Sequence, residues 1–173
     1  MKLLEKRIEP DLEGLLAVIK RQKTPERVFN IELFLDDEIT EKICDQFSLA
    51  KDISPDAPFS YYERKIRTHR FLGYEAIHIG FVIEPFKYGK RLSTQDTTQQ
   101  NDQSRQQRDW MDEHTGPIQN WQDFDTYPWP KVSEIDFSAL DWLEKNIPDD
   151  MGFYDLTAHI LEGITNLIGY ESL

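Results

Sequence analysis

Val28-Phe29-Asn30-Ile31-Glu32-Leu33-Phe34-Leu35 and, further along, Glu75-Ala76-Ile77-His78-Ile79-Gly80-Phe81-Val82-Ile83-Glu84 decide how this chain is read. The odd positions Phe29 to Leu35 and Ile77 to Ile83 are all apolar. The even positions mix Asn30, Glu32, His78, Gly80 and Glu84, the pattern of a strand whose two faces meet different surroundings. Pro85 closes the second strand. A third strand is expected over Met151 to Thr157.

Helices fill the intervals. Leu12, Leu15, Leu16 and Ile19 recur at helical spacing between Asp11 and Lys23. Asp36 and Asp37 can cap a helix carrying Ile39, Ile43 and Phe47. Tyr62, Ile66 and His69 share one register from Phe59 to Leu72, with Gly73 as the stop. Leu140, Leu143 and Ile147 predict a helix over Ser138 to Ile147 that Pro148 ends. Ile160, Leu161, Ile164, Leu167 and Ile168 predict a last helix with an inward apolar stripe, ending at Gly169.

Strands alternating with helices imply parallel pairing through crossover connections. The predicted class is α/β. An all-apolar face suits a helical layer and a mixed face suits a barrel interior, so the expectation is a partial (β/α)8 barrel of about three units with a helical N-terminal extension. A closed eight-stranded barrel needs about 250 residues, so 1–173 is expected to be the N-terminal part of one barrel domain. Residues 90–109 are rich in Gln, Ser, Thr and Asp, poor in large apolar groups, and are predicted to be a mobile insertion.

A formal net charge of -12 gives an acidic surface and argues against nucleic acid and anionic membranes as partners. No apolar run approaches the roughly 20 residues of a membrane helix. The single cysteine, Cys44, lies beside a helical apolar stripe and is expected to be a buried thiol. These features fit a cytoplasmic protein acting on a small molecule. Residues 110–130 concentrate three of the four tryptophans, Trp110, Trp121 and Trp129, among acids, His114 and prolines, and are expected to form a loop anchored by those rings.

On these residues the chain resembles the uroporphyrinogen decarboxylase superfamily. The resemblance rests on Arg27-Val28 to Phe34, on Arg70-Phe71-Leu72-Gly73-Tyr74-Glu75, and on Asp112-Glu113-His114-Thr115-Gly116-Pro117-Ile118 with Trp121, Asp123-Phe124 and Tyr127-Pro128-Trp129-Pro130. Leu143 to Pro148 and Gly169 to Leu173 extend it. It implies a barrel enzyme, a decarboxylase-like lyase. Orthodox members hold the substrate's carboxylates with an arginine-rich loop after the first strand, where this chain has Glu32-Leu33-Phe34-Leu35-Asp36-Asp37. The Gly-Phe-x-Gly-x-Pro signature is replaced by Gly152-Phe153-Tyr154-Asp155-Leu156-Thr157. An acidic rim repels a polycarboxylate, so the substrate stays open. A second branch of the superfamily implies methyl transfer with zinc or a corrinoid, whose ligands belong to a C-terminal barrel half. The resemblance implies no cofactor within this segment itself. A third alternative is an inert barrel fragment that pairs with its missing half or with another copy of the chain.

Glu32 falls on the mixed face near a strand's C-terminal end, where barrel enzymes place catalytic groups. It is the first candidate for proton transfer. Asn30 precedes it and Glu84 occupies the corresponding place on the second strand; both are candidates for substrate binding. His78 falls mid-strand and reads better as a core histidine. Asp112, Glu113 and His114 alternate in direction on an extended chain and cannot share one ion without a tight turn. Glu113 and His114 are therefore read as catalytic residues reaching over the barrel mouth, with a structural loop as the alternative. Tyr154 and His159 are candidates to line the same mouth.

Overall fold

The described elements run α1 (Leu12–Ile19), α2 (Asp37–Gln46), α3 (Ser60–Leu72), β1 (Ala76–His78), β2 (Arg91–Gln95), β3 (Gln107–Met111), α4 (Trp121–Thr126), α5 (Ser138–Asn146), β4 (Gly152–Tyr154) and α6 (Ile160–Ile168), with single 3-10 turns at Val132–Glu134 and Tyr170–Ser172. The structure is a computed structural model and describes residues 8–79, 86–95, 107–155 and 159–173. It is a mixed α/β fold with six α-helices among the described residues. The chain divides into two units, Met1–Ile83 with Asp136–Leu156, and Glu84–Ile135 with Thr157–Leu173. None of the helices searched is long and apolar enough to cross a membrane.

In the first unit, β1 pairs in parallel with β4 in the register Ala76↔Gly152, Ile77↔Phe153 and His78↔Tyr154. Ile31 bridges in parallel to Ala76 on the other side of β1. The middle position of β1 explains its burial: Ala76, Ile77, His78 and Ile79 are all buried, as in a parallel strand covered on both faces. Ile77, Ile79 and Met151 pack against Ile66 of α3 and Leu143 of α5, with Tyr62, Leu140, Trp142 and Ile147 around them. The 3.6-residue register of α3 supplies Tyr62 and Ile66, and Gly73 ends the helix at φ +79 with its N–H bonded to the Arg70 carbonyl at 3.1 Å. Arg70 in the last turn suits the negative end of the helix dipole. Cys44 is buried on α2 beside Ala50 and Ile53, as its stripe predicted.

The first predicted strand is largely absent. Between Val28 and Leu35 only Ile31 joins the sheet, and of the odd positions Ile31 is exposed while Phe29, Leu33 and Leu35 are only half-buried, so they do not form a buried face. The backbone explains the departure. Asn30 exchanges bonds with Glu75, and then the Phe34 N–H turns back onto Glu32 Oε1 at 3.3 Å, a local bond that competes with a strand ladder. Of the expected second and third strands, Ala76–His78 and Gly152–Tyr154 form strands among the described residues. Residues 80–85 and 156–158, to which they were predicted to extend, lie outside the described residues.

In the second unit the two ends of the polar 90–109 segment fall on strands. β2 and β3 form an antiparallel pair, from Arg91↔Met111 to Gln95↔Gln107, extended by the Asp112 N–H to the Lys90 carbonyl. Residues 96–106 lie outside the described residues. Leu92 faces Trp110 across this ladder, which places Trp110 in a strand rather than in a loop. α4 was not anticipated. Asn120 caps it by accepting from the Asp123 N–H at 3.0 Å, while Asp123 accepts from the Asn120 amide and the Gln119 N–H.

The apolar stripe of α6 does not point inward as expected. Ile160 and Leu161 are 85% and 60% exposed and Ile164 is exposed, whereas Thr165 and Asn166 are buried. The helix instead makes its specific contacts at its C-terminal end. The Ile118 N–H donates to the Leu167 carbonyl at 3.0 Å, Gln119 Nε2 donates to the Ile168 carbonyl at 3.1 Å, and the Tyr170 N–H donates to the Glu113 carbonyl at 2.9 Å. Carbonyls that a helix end leaves without partners are thereby satisfied. Gly116 permits the approach, because a Cβ there would stand 2.1 Å from the Leu167 carbonyl oxygen. Gly116→Ala is therefore expected to destabilise the protein by about 2 kcal/mol or more through overpacking against backbone. Urea unfolding would show this as a lower midpoint at unchanged slope.

Candidate functional site

Three adjacent backbone segments of the first unit run parallel. Ile31 bridges to Ala76, and β1 pairs with β4 up to His78↔Tyr154, so Glu32 follows the bridge while His78 and Tyr154 are the last residues of the described strands. Open parallel sheets bind ligands at this edge. Tyr154 donates its hydroxyl hydrogen to the Glu32 carbonyl at 2.8 Å, joining the outer two segments. His78 is flanked by two rings, Tyr154 with centroids 5.4 Å apart and Phe34 edge-on at 5.8 Å. It is 8% exposed, and its Nε2 is buried with no hydrogen-bond partner among the described residues.

α3 brings two further polar groups to the buried side of β1. Lys65 and His69 lie one turn apart on the helix and are 8% and 1% exposed. Lys65 Nζ donates to Tyr61 Oη at 3.3 Å and lies 5.5 Å from the centre of the Tyr61 ring, and Tyr61 in turn donates to Asp37 Oδ1 at 2.9 Å. No carboxylate among the described residues pairs with Lys65. The ring nitrogens of His69 are buried beside the Ala76 backbone, and its ring packs 5.2 Å from Tyr74.

Burial sets the protonation of this cluster. It pushes His69 down to about 4, aided by the charge of Lys65 and opposed by the Ala76 backbone and Glu32. His78 is lowered by burial and then by Lys65, against Asp155. Burial lowers Lys65 as well, against Asp37, and raises Tyr154, aided by Glu32. At neutral pH the site therefore holds two uncharged imidazoles and a protonated phenol, a base and a proton donor side by side.

Asn30 has a structural part in this unit. Its N–H donates to Glu75 Oε2 at 2.6 Å and its carbonyl accepts from the Glu75 N–H at 3.0 Å, while Arg27 lies 2.6 Å from Glu75 Oε1. Glu84 lies outside the described residues.

The remaining candidates belong to the second unit. Glu113 and His114 are exposed; the Glu113 carbonyl holds Tyr170, and His114 Nδ1 stands 3.8 Å from Glu171. Asp112 accepts from the Thr115 hydroxyl at 2.8 Å and the His114 N–H at 3.0 Å, bonds that hold its carboxyl below the usual range and make this stretch a tight turn. The turn does not gather a metal site: no group of three His, Cys, Asp or Glu suited to a metal is found among the described residues. His159 occupies the N-cap position of α6 with its side chain exposed, 3.9 Å from Glu162.

The anchoring role expected of the tryptophans is only partly met. Tyr127 makes the firmest contact, donating to the Lys87 carbonyl at 3.0 Å and accepting from the Lys87 N–H at 2.7 Å. Trp129 packs on Tyr127 and Phe124 and donates to the Phe124 carbonyl at 3.1 Å, while Trp121 is 80% exposed. An open depression of about 390 Å³ follows α1, lined by Val18, Arg21 and Thr24 among others, and includes none of the candidate residues.

Sequence periodicity placed His69 inward without a role and passed over Lys65. The legible signal was a lysine one residue before Ile66 on a helix whose inward register is aromatic and aliphatic. Comparison with protein-family models, curated proteins and solved structures finds no match to this chain.

Proposed function

We propose that the chain belongs to a small-molecule enzyme that works by proton transfer at the C-terminal ends of the strands of a partial (β/α)8 barrel, and that its reaction is a carbon–carbon lyase step of the uroporphyrinogen decarboxylase-like kind. The observation that carries this reading is the convergence of Glu32, His78 and Tyr154 on one edge of a parallel sheet. A neutral imidazole accepts a proton and a protonated phenol supplies one to the enolate left when carbon dioxide departs. The acidic surface disfavours a polyanion. Acetoacetate, a small 3-oxo acid, is the probe. The protein is expected to release carbon dioxide from it faster than buffer does, and Tyr154→Phe to slow that release by at least tenfold. Release at the buffer rate would overturn the proposal.

A second reading rests on a different observation. The exposed Ile160, Leu161 and Ile164 face of α6 fits a chain that is inert until a partner or further barrel units cover it. Cooperative melting of a monomer that binds no apolar-surface dye would count against it.

A further inference from the structure

Lys65 is the buried ionisable group that the proton-transfer reading leaves unused. A lysine that is 8% exposed forfeits its hydration, and a fold that keeps one for structural reasons supplies a carboxylate. Here the only bond among the described residues is a long one to a tyrosine hydroxyl, which itself donates to Asp37. Near it stand two histidines, His69 one turn further along α3 and His78 on β1, and the buried His78 Nε2 lacks a hydrogen-bond partner among the described residues. Lys65 is close enough to both imidazoles for its charge to act on them. An amine in such surroundings loses its proton readily and becomes a nucleophile toward carbonyl carbon.

We propose that Lys65 forms a Schiff base with the ketone or aldehyde carbon of an oxo-acid substrate. This rests on the site proposed above and names its substrate class. The neutral Nζ adds to the carbonyl carbon, forming the C–N bond as the C=O π pair moves to oxygen, which takes a proton. His78 accepts the proton the nitrogen sheds and returns it to the hydroxyl, which departs as water while the nitrogen lone pair forms C=N. Protonated at nitrogen, the product is an iminium. It can receive the electron pair released when the bond to a carboxylate on the adjacent carbon breaks, which gives the lyase step an electron sink without any further reagent.

Reductive trapping tests this on the intact chain. Pyruvate serves as the probe, because it forms an imine but has no carboxylate placed for 3-oxo acid decarboxylation, so the result does not depend on turnover. With borohydride at pH 7, the expected outcome is one reduced pyruvyl adduct per chain, mapped by peptide mass to Lys65 and formed at least tenfold faster than at any other lysine. His78→Gln should slow the adduct while leaving its position unchanged. Labelling spread over exposed lysines, or no adduct, would overturn the proposal whatever the result with acetoacetate. The mapping is done on the unsubstituted protein, so it stands even if Lys65→Met fails to fold.

Discussion

Arg27→Ala is expected to destabilise the protein by about 3–5 kcal/mol, the range for removing one partner of a buried ion pair. Glu75 is fully buried, and its carboxylate has two supports, Arg27 at 2.6 Å and the Asn30 N–H at 2.6 Å. Without Arg27 a charge without a counter-ion remains in the interior. The converse substitution should cost less. Glu75→Gln retains an acceptor for Asn30 and leaves Arg27, one-third exposed, to be solvated. The asymmetry follows from which partner can reach water. Chemical denaturation of the two variants measures it, and equal losses would show that Glu75 is not the costlier group to strand.

Acid should weaken the fold well before most carboxylates titrate. His69 is held at about 4 against an unfolded value near 6.5, so between those values the unfolded chain binds the extra proton. The contribution is fully present above pH 6.5 and is lost as pH falls toward 4. At 1.36 kcal/mol per unit this amounts to about 3 kcal/mol. His78, lowered by the same causes, adds loss of the same sign. The Arg70-paired Asp150, lowered by its hydrogen bonds to the guanidinium, contributes in the opposite range: its stabilisation is present above 3.8 and fades only below that. Urea midpoints measured from pH 7 to pH 4 should therefore fall steeply in the parent protein. They should flatten in His69→Phe, which keeps the ring contact with Tyr74 and removes the titrating nitrogens. Parallel slopes in the two proteins would refute the assignment.

Periodicity made the helices legible, because α3 and α5 bury a stripe whose spacing is written in Ile66 and Leu143 and whose stops are local, as at Gly73, whereas α2 buries Thr40 and Cys44 and leaves Ile39 exposed. It also made β1 and its parallel pairing legible, since a strand covered on both faces reads as an apolar run. Three features escaped for separate physical reasons. The β2–β3 pair is held by backbone ladder bonds between mostly polar residues, so no apolar alternation marks it. The strand expected at Val28–Leu35 is cut short by the Glu32 side chain bonding the Phe34 N–H and by the anchoring of Asn30 to Glu75. The stripe on α6 faces solvent, and periodicity shows that residues share a face without showing what meets it.

The candidate site divides in the same way. Glu32 is expected near a strand end and Tyr154 within the third strand, and the Tyr154 hydroxyl reaches the Glu32 carbonyl. His78 read as a core residue, and its burial agrees; what the pattern could not convey is that β1 ends at this residue, with Nε2 lacking a partner among the described residues. The density of acids and aromatics in residues 112–118 reflects packing. Asp112 builds a turn, and Gly116 and Ile118 dock it on the end of α6.

The most direct test of the proton-transfer site is the ratio of kcat/KM on acetoacetate between the parent protein and His78→Gln, with near-ultraviolet circular dichroism confirming that both are folded. A group that carries the proton in the rate-limiting step predicts a fall of about 10²–10⁴-fold. Turnover by His78→Gln within a factor of two of the parent would contradict the account and return His78 to the core of β1 as a packing residue.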